Sequence, residues 1–191
     1  MTNFEYAQNF ESQIKEDMLK NAKSTLEQEF IETIFEKHLA IIPSQNENNL
    51  INIDASSHSS NDLSGISKKL SNIRLNLKDI ILLAIETSIN FEMPATLLEF
   101  VKLGLNILLK AYMASSIKIT NNECVLLIYL HEKNAYETPV LEEQIYEEIR
   151  RGIFPLSMED YRKSLNNLIR ISSVIVVMEK IYLNEYIKLK Y

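Results

Sequence analysis

The chain has 191 residues, 46% of them apolar, and carries 20 Lys or Arg against 26 Asp or Glu, a net charge of −6. This composition excludes a wholly disordered chain, a collagen-like repeat and a disulfide scaffold. Only three Gly and four Pro are present, which is too few turn residues for an all-β sandwich. Because the helix formers Leu, Ile, Glu, Lys and Ala dominate, we expect a mainly α protein.

Charge and cysteine content indicate the setting in which the chain works. An acidic chain is a poor candidate for sequence-independent nucleic-acid binding, which depends on neutralising phosphates. Cys124 is the single cysteine and cannot form an internal disulfide, and the N-terminus lacks the pattern of a signal peptide. The most apolar window, residues 97–116, contains Glu99, Lys102 and Lys110, which a membrane-spanning helix would bury at high cost. We therefore expect a cytoplasmic protein without a membrane partner.

Residues 1–42 are predicted to form amphipathic N-terminal helices. Apolar residues recur at three- to five-residue spacing over residues 4–40, which is typical of a helix with one apolar face. Capping-box patterns at Thr2–Glu5 and Ser24–Glu27 leave open whether the stretch is one helix or two helices broken near Lys23. The apolar face either packs on the rest of the chain or forms a homodimer or partner-binding surface.

Residues 43–65 are predicted to be a polar linker. They are rich in Ser and Asn and have no helical period, so they bury too little apolar area to offset the entropy cost of ordering. Leu50, Ile51 and Ile53 are the exception and are compatible with one short strand or anchor.

Residues 66–118 are predicted to form a central helical hairpin. The first helix covers residues 66–91 and contains an apolar run that indicates burial on all sides. The second covers residues 94–114 and begins at Pro94, a favourable first helical position. Gly104 weakens this second helix by ~1 kcal/mol relative to Ala, but it permits a close approach of two backbones.

Residues 119–191 contain the clearest signals for individual elements. Helix caps, a glycine stop and a change from helical to alternating periodicity follow one another. The predicted helices and first strand are a helix over 123–132 capped by Asn121 or Asn122, a brief strand over 135–137, a helix over 139–151 begun by Thr138 and Pro139, and a helix from Ser157 with Asp160 to about Ile171.

The last part of this segment is predicted to be a β-hairpin. A β-branched run over 174–178 is followed by a turn at Glu179 and Lys180, and an alternating strand covers 181–189. The order helix, short strand, helix, helix and β-hairpin over residues 119–191 resembles a winged-helix domain, and the resemblance is one of element order. It implies an α+β module at the C-terminal end of a mainly α chain.

The third helix of this module carries a polar stripe. Arg162, Asn166 and Arg170 recur at four-residue spacing, with Lys163 and Asn167 beside them. Arg and Asn read guanine and adenine edges, and the winged-helix resemblance implies that this helix enters the major groove of duplex DNA. The helix begins with acidic residues, which disfavour that approach, so a merely solvated face and a protein-docking face stay open. The core face of the helix is predicted to be Tyr161, Leu165, Leu168 and Ile169.

A second set of residues points to a protein partner. Glu142, Glu143 and Glu147 make the second helix of the module strongly acidic, and Tyr182 and Tyr186 are placed on the outward face of the last strand. Exposed tyrosines are favoured in interfaces, although the N-terminal helices are an alternative cover for them. The predicted wing is too short for a long basic contact with the minor groove. An acidic surface suits a basic partner protein.

Catalytic and metal-binding patterns are absent from the sequence. His38, His58 and His131 have no second His or Cys at ligand spacing, and Cys124 has no neighbouring His. Neither a dinucleotide fingerprint nor a phosphate-binding loop is present. We expect no catalytic residue, no metal and no cofactor.

These observations favour one hypothesis over a second. The first is a non-enzymatic cytoplasmic interaction subunit, an adaptor, inhibitor or immunity-type protein that docks on another, basic protein. The alternative is a winged-helix transcription regulator that binds duplex DNA and uses the N-terminal helices for dimerisation or sensing.

Overall fold

The computed structural model describes residues 2–43, 70–88, 94–112 and 117–190. The described chain is mainly helical and contains two small antiparallel sheets, as the composition predicts for the fold class. The predicted polar linker lies outside the described residues from position 44 onward. No helix within the described ranges is both long enough and apolar enough to cross a bilayer.

The N-terminal segment folds as two helices, α1 (Asn3–Lys20) and α2 (Thr25–Thr33). Thr2 caps α1 in a reciprocal capping box, and the Ser24 hydroxyl accepts a hydrogen bond from the backbone of α2. A π-helical turn, Ile34–His38, then leads into strand β1 (Leu39–Pro43), so the predicted helix ends earlier than expected. The apolar face of α1 packs against β1 and a later helix of the same chain.

Strand β2 (Leu70–Asn76) corrects the helix predicted to begin at residue 66. Ile73 and Leu75 are buried while Arg74 between them is exposed, a period of two. The strand lies between β1 and a C-terminal strand, and both pairings are antiparallel. Two neighbouring strands therefore override the helical spacing of the apolar residues in this segment.

Helices α3 (Leu77–Ser88) and α4 (Pro94–Ala111) form the packed centre of the molecule. The predicted pair of helices is present, but α3 begins only after β2, and Leu82 on it is exposed rather than buried. Gly104 makes room for a side chain and not for the second backbone that the sequence predicts, because a Cβ atom built there would lie 2.6 Å from Cγ2 of Ile80.

Three further helices follow: α5 (Asn121–Glu132), α6 (Glu142–Arg151) and α7 (Met158–Arg170). Thr120, not an asparagine, caps α5 in a capping box with Glu123. The brief strand is β3 (Val140–Leu141) rather than residues 135–137, and α6 therefore begins later than predicted. The cause is pairing, because β3 is held in extended form by a strand of the following hairpin.

The chain then forms β4 (Val174–Val177), β5 (Lys180–Leu183) and β6 (Tyr186–Lys190). The turn between β4 and β5 is Met178–Glu179, one residue earlier than predicted, and both residues have positive φ, 49° and 63°. Such a two-residue turn matches the natural twist of a hairpin. One sheet has the order β3-β5-β4, and the other has the order β1-β2-β6.

The predicted last strand is therefore two strands in two sheets. β5 is the centre of the C-terminal sheet, whereas β6 pairs with β2, with Leu75 opposite Ile187. The backbone carbonyl of Glu185, between the two strands, accepts hydrogen bonds from the N–H groups of Leu77 and Lys78 at 2.8 and 3.3 Å. The start of α3 thus holds the break between the strands in place.

Candidate functional site

A cavity of about 350 Å³ opens between α6, α7 and the β4–β5 turn, and we call it the acidic pocket. Its position follows from local structure, since the starts of α6 and α7 and the tight turn all meet there. The acidic pocket is lined by Glu142, Glu143, Tyr146, Met158, Tyr161, Arg162 and Glu179.

The ring of Tyr146 forms the accessible aromatic floor of the acidic pocket, and the buried Tyr161 packs against it. The rings of Tyr146 and Tyr161 meet edge to face with 5.3 Å between their centroids. Tyr161 is fully buried, and its hydroxyl donates to the carbonyl oxygen of Glu142 at 3.4 Å. Burial raises the pKa of Tyr161, so this hydroxyl stays neutral and serves as a structural contact.

Three carboxylates surround this floor. The backbone N–H of Glu142 donates to the carbonyl of Glu179 at 2.9 Å, which ties the start of α6 to the hairpin turn. Glu143 and Glu179 are exposed and Glu142 is half-buried. Within the described part of the chain, none of the three lies within 4 Å of a basic group. No ion pair within the described chain therefore offsets these three carboxylates, and Arg162 is the basic residue that lines the pocket beside them.

Glu147, predicted with Glu142 and Glu143, has a different environment. Its carboxylate is 2.7 Å from Arg150 and 3.2 Å from Arg151 on the same helix. The hydrogen bond from Arg150 is the main cause that lowers the pKa of Glu147. This charge is offset within α6, so Glu147 contributes less to an acidic surface than its two predicted companions.

The polar stripe of α7 is present as predicted. Arg162, Lys163, Asn166 and Arg170 are all exposed. No ion pair to the three basic residues is found among the described residues. Arg162 also lines the acidic pocket.

Two residues of α7 differ from the sequence prediction. Asn167, expected beside the stripe, donates from Nδ2 to Oε1 of the buried Glu123 at 2.7 Å and so fastens α7 to α5. Ile169, expected in the core, is 40% exposed, while Tyr161, Leu165 and Leu168 are buried as predicted.

Tyr182 and Tyr186 do not share one surface of one strand. Tyr182 lies on β5 opposite Ile175 and is half-buried. Tyr186 is the first residue of β6, and the guanidinium of Arg74 lies 4.0 Å from the centre of its ring. The break between the two strands separates these side chains into different sheets, so they do not form a joint tyrosine patch.

The described cysteine and histidine side chains, which are the candidates for a nucleophile and a general base, lie among buried or hydrogen-bonded neighbours. Cys124 is fully buried, and burial raises the pKa of its thiol to about 12. Nδ1 of His131 lies 2.8 Å from the hydroxyl of Tyr136, and Nδ1 of His38 lies 3.6 Å from Asp79. His58 lies outside the described residues. No group of three potential metal ligands occurs in the described ranges.

Sequence reasoning missed the aromatic floor of the acidic pocket and the contribution of Glu179. A tight turn next to an acidic helix start was a usable signal, but the contact between them depends on how the hairpin folds back. Comparison with protein-family models, curated proteins and solved structures finds no match to this chain.

Proposed function

We propose that the chain is a non-enzymatic cytoplasmic interaction protein, of adaptor, inhibitor or immunity type, that docks on a basic partner protein through the acidic pocket. One observation carries this proposal. The carboxylates of Glu142, Glu143 and Glu179 form no ion pair within the described chain and surround an aromatic floor, in a pocket that Arg162 also lines.

This combination matches the chemistry of a lysine or arginine side chain. The aliphatic stem of such a residue packs on an aromatic ring, here that of the half-buried Tyr146, while its charged end reaches the carboxylates. A partner that presents one or more basic side chains would satisfy both parts of the acidic pocket. Complementary charge also steers the two proteins together and raises the association rate.

We further propose that residues 119–191 form a winged-helix-like module used for protein contact. The element order α5, β3, α6, α7, β4 and β5 and the sheet order β3-β5-β4 support this proposal. The β4–β5 turn has only two residues, one of them Glu179, so it offers no extended basic wing. Glu159 and Asp160 are exposed in the first turn of α7 and would repel phosphates there.

The test is charge reversal at the rim of the acidic pocket. The triple variant Glu142→Lys, Glu143→Lys and Glu179→Lys is compared with the wild type for capture of a partner from the native host. A purified partner then serves for stopped-flow measurement of the association rate. We expect the rate to fall by at least about tenfold and to lose most of its salt dependence.

A control with the same net charge separates local from overall effects. Glu29→Lys, Glu32→Lys and Glu86→Lys change three exposed residues outside the acidic pocket. This control triple should bind at close to the wild-type rate. Equal loss of binding in both triples, or no loss in the first, would show that docking occurs elsewhere.

One observation favours the second candidate, a DNA-binding transcription regulator. Arg162, Lys163 and Arg170 project from one exposed face of α7 without ion pairs in the described part, and Asn166 lies among them. If the chain is such a regulator, its affinity for duplex DNA falls steeply as the salt concentration rises. The double variant Arg162→Ala and Arg170→Ala then loses DNA binding without unfolding. Tight wild-type binding to duplex DNA at physiological salt would replace the first proposal with this one.

A further inference from the structure

Strand β4 forms one edge of the sheet β3-β5-β4 and carries no charge. Ile175 and Val177 point away from the core and are 46% and 48% exposed, and Met178 after them is 90% exposed. An edge strand with exposed apolar side chains is a template for pairing with another strand. Docking at the acidic pocket does not explain why this edge strand exposes apolar side chains.

The hydrogen-bonding pattern shows which backbone groups of β4 are free. Val177 pairs with Lys180 across a two-residue turn, and the carbonyl of Ser173 accepts from the N–H of Asn184 at 2.9 Å. Because antiparallel bonding alternates along a strand, Val174 and Val176 direct their N–H and C=O groups away from β5. No backbone partner for those groups occurs among the described residues.

The two edge strands of the sheet β1-β2-β6 are protected. β1 ends in Pro43 with an irregular register, and the exposed positions of β6 include Lys188 and Lys190. Proline, irregular pairing and lysine are the usual means of preventing edge-to-edge association. β4 has none of them, which sets it apart from the edges of the other sheet.

We propose that β4 pairs antiparallel with β4 of a second copy of this chain, which joins the two C-terminal sheets into one. The outward N–H and C=O groups of Val174 form hydrogen bonds with those of Val176 in the second copy. Val176 of the first copy pairs with Val174 of the second in the same way, which completes the ladder. The two-fold axis then passes between the two Ile175 residues, which face each other as a non-hydrogen-bonded pair. This inference does not depend on the proposed docking function.

Self-complementarity favours a second copy over a different protein. An uncharged apolar strand pairs best with another uncharged apolar strand, and the pairing places one Ile175 against the other. β4 itself carries no charged residue, so the pairing places no like charges directly opposite each other, although each chain is acidic overall.

The small size of the contact predicts its strength. A ladder between two four-residue strands buries less than the roughly 1,200 Å² of a standard interface. We therefore expect a reversible dimer with a Kd on the order of 100 µM. Because backbone bonds and apolar contacts hold it, raised salt should not weaken it, in contrast to docking at the acidic pocket.

The first experiment is site-specific disulfide trapping of the full chain in a glutathione buffer. Ile175→Cys places two thiols at a pair about 4.5 Å apart between Cα atoms, within the range that a disulfide spans. Val177→Cys is the matched control, because two such residues would lie more than roughly 13 Å apart along the ladder. The native Cys124 is buried and does not interfere.

Trapping of Ile175→Cys at least about tenfold faster than Val177→Cys supports the two-fold register. Equal trapping of both variants, or trapping of neither at protein concentrations of about 500 µM, overturns it, since a Kd on the order of 100 µM would make the dimer abundant there.

The second experiment uses charge at the same position and sedimentation to count subunits. Ile175→Lys or Ile175→Asp alone puts like charges opposite each other and should abolish the dimer, whereas an equal mixture of both variants should restore it. Leu82→Lys, at an equally exposed residue of α3, should dimerise as the wild type does. A monomeric wild type, or a dimer that Ile175→Lys leaves intact, contradicts the proposal.

Discussion

The two sheets of the molecule differ in how far apart their strands lie along the chain. In the sheet β3-β5-β4, the most distant pair joins Val140 to Ile181, and β4 and β5 are direct neighbours. In the sheet β1-β2-β6, the pair Leu75 and Ile187 is separated by about 110 residues. The C-terminal sheet is therefore assembled within one stretch of sequence, whereas the N-terminal sheet depends on both halves of the chain.

The largest effect should come from breaking the long-range sheet. Ile187→Ala in β6 removes a fully buried side chain opposite the fully buried Leu75, and we expect a loss of ~2–5 kcal/mol in the free energy of unfolding. Denaturant titration measures it, and hydrogen exchange should show lost protection in β2. Lys188→Ala on the same strand is the exposed control, and similar losses for both variants would contradict the assigned core.

The packing of α3 on α4 provides the next test. Gly104→Val places a branched side chain against Ile80, whose Cγ2 atom lies 2.6 Å from the position of the new Cβ. We expect a loss of ~1–3 kcal/mol from overpacking, more than the small gain in helix propensity. In an Ile80→Ala background the same substitution should cost measurably less. Equal costs in both backgrounds would show that the two residues do not collide.

A smaller effect is expected at the N-terminal cap of α7, which depends only on residues close together in the sequence. Ser157→Ala removes the hydroxyl that accepts a hydrogen bond from the N–H of Asp160 at 3.1 Å at the start of α7. The loss should be ~0.5–2 kcal/mol by thermal or denaturant unfolding. Ser157→Asn, another favourable cap, should restore most of it, and failure to do so would mean that the hydroxyl acts through some other contact.

The smallest effect concerns pH and the two described histidines. Burial is the main cause that lowers the pKa of His38 and of His131. The unfolded chain therefore binds protons more readily than the folded chain as pH falls through about 6.5. The free energy of unfolding should decrease from pH ~7.5 to pH ~5.5, above the range in which carboxylates titrate. His38→Gln with His131→Gln should flatten this slope, and an unchanged slope would exclude the histidines as its source.

Local signals explain which elements could be predicted. Ser157 and Asp160 mark the start of α7, and the β-branched run before Met178 marks β4, so neighbouring residues suffice to predict both elements. The apolar spacing of segment 70–76 fits both the helical and the strand period, so the sequence alone predicts a helix there. Only the pairing with β1 and β6 selects the strand, and neither partner is close in sequence.

The candidate site shows the same limit. Glu142 and Glu143 stand out in the sequence as an acidic helix start, and the stripe of α7 follows from four-residue spacing. The presence of Glu179 beside them depends on the backbone hydrogen bond from the N–H of Glu142 to the carbonyl of Glu179, which joins the start of α6 to the hairpin turn. The separation of Tyr182 from Tyr186 likewise depends on a break held by α3, which lies more than a hundred residues earlier.

The pairing of β6 with β2 also has a consequence for synthesis on the ribosome. β2 leaves the ribosome about 110 residues before the strand that covers its second side. At roughly 5–20 residues per second, that interval lasts on the order of 5–20 s. During it, the edge of β2 that later pairs with β6 has no partner strand, and such an unpaired edge is prone to wrong pairing and to binding by a chaperone.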